Sequence, residues 1–196
     1  MDLVNHIAIA SGLAWASGIR LYAVVLIAGL LGRFGYVSLP GSLEVLTHPL
    51  VLSAAGLMFT VEFFADKVPA LDSLWDAIHT FIRVPGGAIL AAMALGDQSP
   101  AIMLAAGLLG GTITAGTHLT KAGSRAAINT SPEPVSNMVT SAGEDALVVG
   151  GLLTAFHQPV IFLVLLGLFL LGMLWFLPKL WRLARRLLGR ETTGAT

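Results

Sequence analysis

The sequence predicts an all-α polytopic membrane protein with about six transmembrane helices, some of them broken or re-entrant. Hydrophobic residues make up 56% of the 196 residues and charged residues only 11%, and the mean hydropathy is +0.84. A soluble domain is about half apolar and about a quarter charged. Long uncharged runs also recur along the chain, and about 20 apolar residues suffice for a helix to cross the hydrocarbon core.

The composition also limits the classes of partner and chemistry. Lys and Arg together number 11, as do Asp and Glu, so the zero net charge gives no reason to expect nucleic acid. The absence of cysteine excludes disulfides, thiolate metal sites and cysteine nucleophiles. The His-Glu-x-x-His, Walker and dinucleotide-binding motifs are missing as well. We therefore predict a non-enzymatic protein without a cofactor and make no prediction about a metal site. The lipid bilayer is its expected main partner.

The first helix is expected over residues 7–32. The N-terminus lacks the basic segment of a cleaved signal, so we expect this helix to stay in the mature protein. Gly18 and Arg20 lie near its middle and predict a broken helix of the kind found in transporters. A charge at bilayer depth costs about 2.5–3.5 kcal/mol on insertion scales. We interpret Arg20 as a substrate contact or a counter-ion to a carboxylate, with a structural salt bridge or a snorkelling side chain as the alternative.

The second span is expected over residues 49–64. Residues 84–96 are also uncharged but too short to cross a membrane alone, so they must borrow preceding turns or form a re-entrant segment. Ionisable residues precede them on one stripe of an amphipathic helix: Asp72, Asp76, His79 and Arg83. This segment is therefore predicted to be helical, with its crossing undecided.

Three further spans are expected over residues 99–120, 141–157 and 158–178. The first of them carries a small-xxx-small pattern from Gly107 to Gly111, which permits close helix contact. Residues 1–178 are thus predicted to form a single transmembrane domain. Residues 179–196 form a basic tail, which we expect to lie as an interfacial helix on anionic lipid.

The basic tail also predicts the orientation. Positive-inside bias places it in the cytoplasm, and six crossings then place the N-terminus there too, in the inner membrane. Two polar stretches, residues 62–83 and 118–145, fall on the same cytoplasmic half and could meet in one site. A faint echo between residues 17–21 and 115–119 suggests a 3+3 inverted repeat, although so short a match also arises by chance.

Seven residues are candidates for a substrate or ion path: Arg20, Glu62, Asp66, Asp72, Asp76, Glu144 and Asp145. Carboxylate oxygens suit hard cations, and carboxylates that change protonation suit proton coupling. The alternative is that neighbouring basic residues simply neutralise them at the headgroup level.

Four residues are candidates for binding an anion or a lipid headgroup: Arg83, His118, Lys121 and Arg125. The last three share one helical stripe, where a phosphate group could bind. Positive-inside bias alone would equally explain such a stripe.

Several of these motifs together resemble a bacterial membrane family catalogued as domain of unknown function 4126. The resemblance covers nearly the whole chain and is found in these segments: residues 15–22 (WASGIRLY), 62–67 (EFFADK), 75–83 (WDAIHTFIR) and 143–145 (GED). It implies a membrane protein and supplies no activity. A more distant similarity links Glu62 and Asp66-Lys67 to the Glu-x-Gly-Asp motif of cation/proton exchangers. One extra residue, Ala65 and Val68 break that motif, which puts a transferred metal site in doubt.

The leading functional hypothesis is a small transporter or channel for an ion or small solute, built around the intramembrane carboxylates and Arg20. A lipid-handling protein, either a scramblase or a carrier of phosphorylated lipid, is the second hypothesis. The third is a non-catalytic scaffold that joins membrane proteins, or copies of itself, through the face from Gly107 to Gly111.

Overall fold

A computed structural model describes residues 2–128 and 134–191, and every regular element within these ranges is helical. The six α-helices are α1 (Leu3–Arg33), α2 (Pro49–Ala65), α3 (Pro69–Ala94), α4 (Pro100–Ile128), α5 (Pro134–His157) and α6 (Pro159–Glu191). A 3-10 helix, Gly41–Thr47, precedes α2. The predicted all-α class is confirmed. The last residues of the predicted tail, 192–196, lie outside the described chain.

Five of these helices are long and apolar enough to cross a membrane, namely α1, α3, α4, α5 and α6. The 3-10 helix and α2 together meet the same criterion but are bent by 65° at their junction. A pair of this kind is either a broken span or a re-entrant loop. Within the described residues the chain is thus a polytopic membrane protein with five spans, or six if the bent pair crosses.

Proline marks the start of every α-helix after the first. Pro49, Pro69, Pro100, Pro134 and Pro159 each occupy the first helical position, where the missing N–H would have no partner within the helix. The first helix instead uses Asp2 as its N-cap, and the Asp2 carboxylate accepts a hydrogen bond from the Asn5 N–H at 2.8 Å. Helix starts are therefore encoded locally.

The central element of the bundle is α1, which contacts each of the other five helices. In its most apolar segment 67% of residues are buried, against 11% in the corresponding segment of α6. The helix is interrupted at Arg20, whose backbone torsions (φ −149°, ψ 85°) are not helical. The predicted break in the first helix is confirmed.

The region that the sequence left undecided, residues 84–96, belongs to the continuous helix α3 as far as Ala94. Its 26 residues run through Pro85 without a break in the assigned helix, and at 1.5 Å per residue they span about 39 Å. The preceding turns supply the missing length, so this segment is not a separate re-entrant piece. Three other predicted bounds also shift, since α4 continues to Ile128, α5 begins at Pro134 and α6 continues through Pro178 to Glu191.

The glycine face of α4 packs inside the protein. A Cβ added to Gly111 would lie 3.2 Å from the Ala88 side chain of α3, and one added to Gly110 would overlap Ala91. Close helix contact through this pattern is therefore confirmed, but the partner is α3. The glycines themselves face α3, and the hypothesis of a scaffold that binds other membrane proteins stays a prediction.

A second close approach joins α4 to α1 just before the break. A Cβ on Gly18 would lie 2.6 Å from the backbone oxygen of Thr114 and 2.9 Å from the amide nitrogen of His118. The Thr114 hydroxyl also donates a hydrogen bond to the Ala14 carbonyl at 2.8 Å. This crossing places the cationic end of α4 against the middle of α1.

A buried charge network as candidate functional site

The predicted site residues converge on one region of the bundle, which we call the charge network. It is formed by Arg20 of α1, Glu62 of α2, Asp66 directly after α2, Asp72, Asp76 and Arg83 of α3, His118, Lys121 and Arg125 of α4, and Glu144 and Asp145 of α5. All of these residues are buried except Asp145, which is partly exposed. The two polar stretches therefore do meet, as the sequence suggested they could.

One half of the charge network is organised by Arg20. Its guanidinium lies 2.7 Å from the Asp66 carboxylate and 2.7 Å from that of Asp145, and it donates a hydrogen bond to the Ser141 hydroxyl at 2.7 Å. Arg20 itself is 0% exposed. It therefore serves as a counter-ion that ties α1 to the end of α2 and to α5.

The break in α1 is held by a cation from α4. The Lys121 ammonium donates a hydrogen bond to the Ile19 carbonyl at 3.1 Å, directly before the non-helical torsions of Arg20. A carbonyl at a helix break needs a partner in a membrane interior. Lys121 thus stabilises the interruption that lets Arg20 reach its carboxylates.

The other half of the charge network is organised by Arg83. Its two terminal nitrogens bind the Glu62 carboxylate at 2.5 Å and the Asp76 carboxylate at 2.6 Å. One of them also lies 3.2 Å from Nδ1 of His118. Arg83 is 0% exposed and is thus a second deep cation, whereas the sequence singled out Arg20 alone.

Lys121 and Arg125 connect the two halves. The Lys121 ammonium lies 3.5 Å from Asp76 and from Glu144, and 3.8 Å from Asp66. Arg125 holds both carboxylate oxygens of Glu144, at 2.8 and 2.9 Å. The charge of Asp72 also acts on Arg125. Bidentate pairing of this kind fixes geometry as well as charge.

The proposed anion-binding residues are not a separate site. Arg83, Lys121 and Arg125 are each engaged by carboxylates of the charge network, and His118 contacts Arg83. A phosphate group would have to compete with these buried carboxylates. The carboxylates and the cations are thus one site and not two.

Three residues that contact the charge network were not among the predicted site residues. Ser141 accepts a hydrogen bond from Arg20, the Asn137 carbonyl and side chain lie 3.4 Å from Arg125, and Thr80 lies 2.7 Å from His118. Asn137, Ser141 and Glu144 follow one another at helical spacing on α5. That stripe was visible in the sequence, but it was missed because the predicted span began only at Ser141.

Carboxylates and cations are nearly equal in number in the network. Five carboxylates lie within 4 Å of the permanent cations Arg20, Arg83, Lys121 and Arg125, and the charge of Asp72 also acts on Arg125. Lys67 adds a fifth positive charge at the edge, where its ammonium donates to the Phe63 carbonyl and burial lowers its pKa. The network is therefore close to charge balance, as buried ion pairs require.

Two buried carboxylate oxygens of the network favour an additional ligand. Oε2 of Glu62 and Oδ2 of Asp76 are buried without a hydrogen-bond partner in the part of the chain that the structure describes. Buried polar atoms of this kind commonly mark a position for water or a bound cation. Over the same residues, no group of three or more His, Asp or Glu side chains has the arrangement of a metal site.

A partly open pocket reaches the charge network between α3 and α4. It has a volume of about 240 Å³, and its polar lining consists of Asp76, Thr80, His118 and Arg125. Liquid water occupies about 30 Å³ per molecule, so the pocket has room for several waters. It offers a route from the surface of the bundle to the carboxylate of Asp76.

The comparisons with known proteins agree with the resemblance noted in the sequence. The model of a family described as a domain of unknown function, DUF4126, matches residues 7–179. No curated protein and no solved structure matches the chain. Because the match covers most of the chain, including every residue of the charge network, the protein belongs to the DUF4126 family.

Proposed function

We propose that the protein is a small transporter or channel whose polar path is the charge network. The observation that carries this proposal is an almost fully buried set of ionisable residues in which Oε2 of Glu62 and Oδ2 of Asp76 have no hydrogen-bond partner within the described chain. Ionisable groups inside a membrane usually face a pathway or a partner and are otherwise strongly disfavoured. In this protein the ionisable groups face both a partner and a pathway. Each cation of the network has carboxylate partners, and a pocket reaches Asp76.

The transported species in this proposal is a cation or a proton. A site with spare carboxylate oxygens attracts positive charge, whereas an anion would meet buried carboxylates around every arginine. The proposal assigns no catalytic reaction to the network and needs no cofactor. It also keeps the 3+3 inverted repeat as a prediction, because alternating access commonly uses such repeats.

The lipid-handling alternative has less support from the geometry. Its headgroup-binding residues would be Arg83, His118, Lys121 and Arg125, and these already contact one another or carboxylates. We place anionic lipid instead at the exposed Lys179 and Arg182, where α6 continues beyond the apolar segment. The proposed location is the inner membrane, with both termini in the cytoplasm.

Flux into proteoliposomes tests the proposal. Purified protein would be reconstituted, and uptake of radioactive rubidium ion and entry of protons, reported by trapped pyranine, would be measured against protein-free vesicles. We expect protein-dependent flux of at least one of these cations. Neutralising Glu62 with Glu62→Gln should abolish most of that flux, because it removes a buried carboxylate with an unpaired oxygen.

The matched control is Glu44→Gln, which removes an exposed carboxylate just before α2 and outside the charge network. It should transport like the wild-type protein. Wild-type vesicles that leak no faster than protein-free ones would contradict the proposal, as would equal flux through the Glu62→Gln and wild-type proteins.

A further inference from the structure

The contacts of His118 with Arg83 and Thr80 favour one neutral tautomer of its ring. An arginine can only donate hydrogen bonds, so Nδ1 of His118, 3.2 Å from the guanidinium of Arg83, must be an acceptor. The ring proton is then on Nε2, which lies 2.7 Å from the Thr80 hydroxyl. That hydroxyl in turn donates to the Asp76 carbonyl at 2.9 Å. The buried imidazole is therefore neutral, and its basic nitrogen faces a cation.

We propose that His118 is the proton-binding site of the transporter and that proton binding there removes Arg83 from its present position. This inference rests on the proposed function, since it makes the proton the coupling ion. A proton from water adds to the Nδ1 lone pair that Arg83 now faces. The new N–H and the guanidinium N–H cannot share that 3.2 Å contact, because both are donors and both groups are then positive.

The surrounding charges favour an exchange at Asp76. Arg83 keeps Glu62 as a strong partner, while Asp76 lines the same pocket as His118 and has a buried oxygen without a hydrogen bond in the described chain. A charged His118 can therefore replace Arg83 as the counter-ion of Asp76. The carboxylate stays neutralised throughout, and the proton is stored on the imidazole.

The other groups around His118 fit this assignment. From α3 it faces Arg83 and Asp76, and on α4 the charge of Lys121 acts on it from the next turn. The helix α1 meets this turn at Gly18, whose backbone forms a hydrogen bond with His118 and which brings no titratable side chain. Protons have access from the pocket between α3 and α4, which is lined by His118 itself. The imidazole thus links the accessible pocket to the buried guanidinium.

Nitrogen NMR of histidine-labelled protein in nanodiscs tests the proton site without any transport assay. The chain has five histidines, and the spectrum of a His118→Gln variant assigns the resonance. We expect the wild-type ring to carry its proton on Nε2 at neutral pH. In an Arg83→Gln variant the proton affinity of His118 should rise about tenfold or more, because a neighbouring positive charge is removed.

The wild-type spectrum alone can overturn the proposal, even if Arg83→Gln fails to fold. A proton on Nδ1, or a charged ring at neutral pH, would contradict the hydrogen bonds on which the proposal rests. An unchanged titration of His118 in a folded Arg83→Gln protein would do the same. The matched control is His157→Gln at the exposed end of α5, which should leave the His118 titration unaltered.

Proton entry into pyranine-loaded vesicles then separates this inference from the proposed function. We expect His118→Gln to lose most of the protein-dependent proton entry and His157→Gln to retain it. Wild-type proton entry through His118→Gln would overturn the proton site and leave transport standing. If wild-type protein passes rubidium ion but no protons, the proton is not the coupling ion. If it passes neither, the proposed function itself is wrong.

Discussion

At the scale of single residues, Arg20 and Arg83 differ from ordinary membrane arginines because their side chains are fully buried inside the bundle. Both side chains are 0% exposed, so snorkelling towards the interface is excluded. Their charge is tolerated only because two or more carboxylates lie within hydrogen-bonding distance. Removing one member of such a set leaves a buried charge without its partner.

We therefore expect Arg20→Gln to lower the free energy of unfolding by about 3–5 kcal/mol, the usual cost of breaking a buried ion pair from one side. The glutamine cannot neutralise Asp66 and Asp145, which now lie 2.7 Å from the guanidinium. Reversible unfolding in mixed detergent micelles measures the change.

Arg33→Gln provides the control for that measurement. Arg33 is exposed at the end of α1 and donates to the Thr47 carbonyl at 3.0 Å, so its replacement should cost about 0.5 kcal/mol or less. Equal losses in the two variants would show that Arg20 acts as an ordinary surface charge.

At the scale of helices, the architecture depends on close contacts of α4 with α1 and α3. Within lipid there is little hydrophobic force between helices, so association relies on packing and interhelical hydrogen bonds. Gly18 and Gly110 allow the backbones to approach, and Thr114 adds a hydrogen bond to α1. These contacts set the depth at which Lys121 meets the break in α1.

Gly18→Ala should destabilise the protein by about 1–3 kcal/mol, the range for overpacking a tight interior. The new methyl group would lie 2.6 Å from the Thr114 carbonyl oxygen, which is backbone and cannot move aside cheaply. Unfolding in mixed micelles again gives the magnitude.

Gly167→Ala on α6 is the matched control, since nothing lies within 4 Å of a Cβ at that position. It should be neutral, or stabilising by up to about 1 kcal/mol, because alanine is the better helix former. If Gly18→Ala is equally harmless, the crossing of α1 and α4 is not a tight contact.

At the scale of the whole molecule, the charge network lies where α2 ends, near the middle of α5 and at the break in α1. If the bent pair crosses the membrane, six spans put the N-terminus, the α2–α3 connection and the end of α6 on one side. Positive-inside bias then assigns that side to the cytoplasm. The network would face the same side.

Single cysteine substitutions test this orientation without background labelling of other positions, because the chain has no cysteine of its own. Ser38→Cys and Gln98→Cys, both exposed in loops, should react with a membrane-impermeant maleimide in intact spheroplasts. Arg182→Cys should react only after the membrane is permeabilised. The same labelling pattern for Ser38→Cys and Arg182→Cys would contradict six crossings.

Much of the fold was determined by the sequence itself. Apolar runs predicted the membrane helices, prolines coincide with their starts, and the Gly18 to Arg20 segment predicted the break in α1. These are local properties, since helix formation in lipid satisfies backbone groups within one segment. The candidate residues were visible for a related reason, because any charge stands out in a chain with 11% charged residues.

Only the tertiary structure decided how those charges are used. The sequence assigned Arg83, His118, Lys121 and Arg125 to an anion site, whereas the bundle places them among the carboxylates in one network. The sequence also did not show that α3 covers the glycine face of α4. Pairing energies depend on distances between side chains far apart in sequence, and these distances exist only once the helices pack.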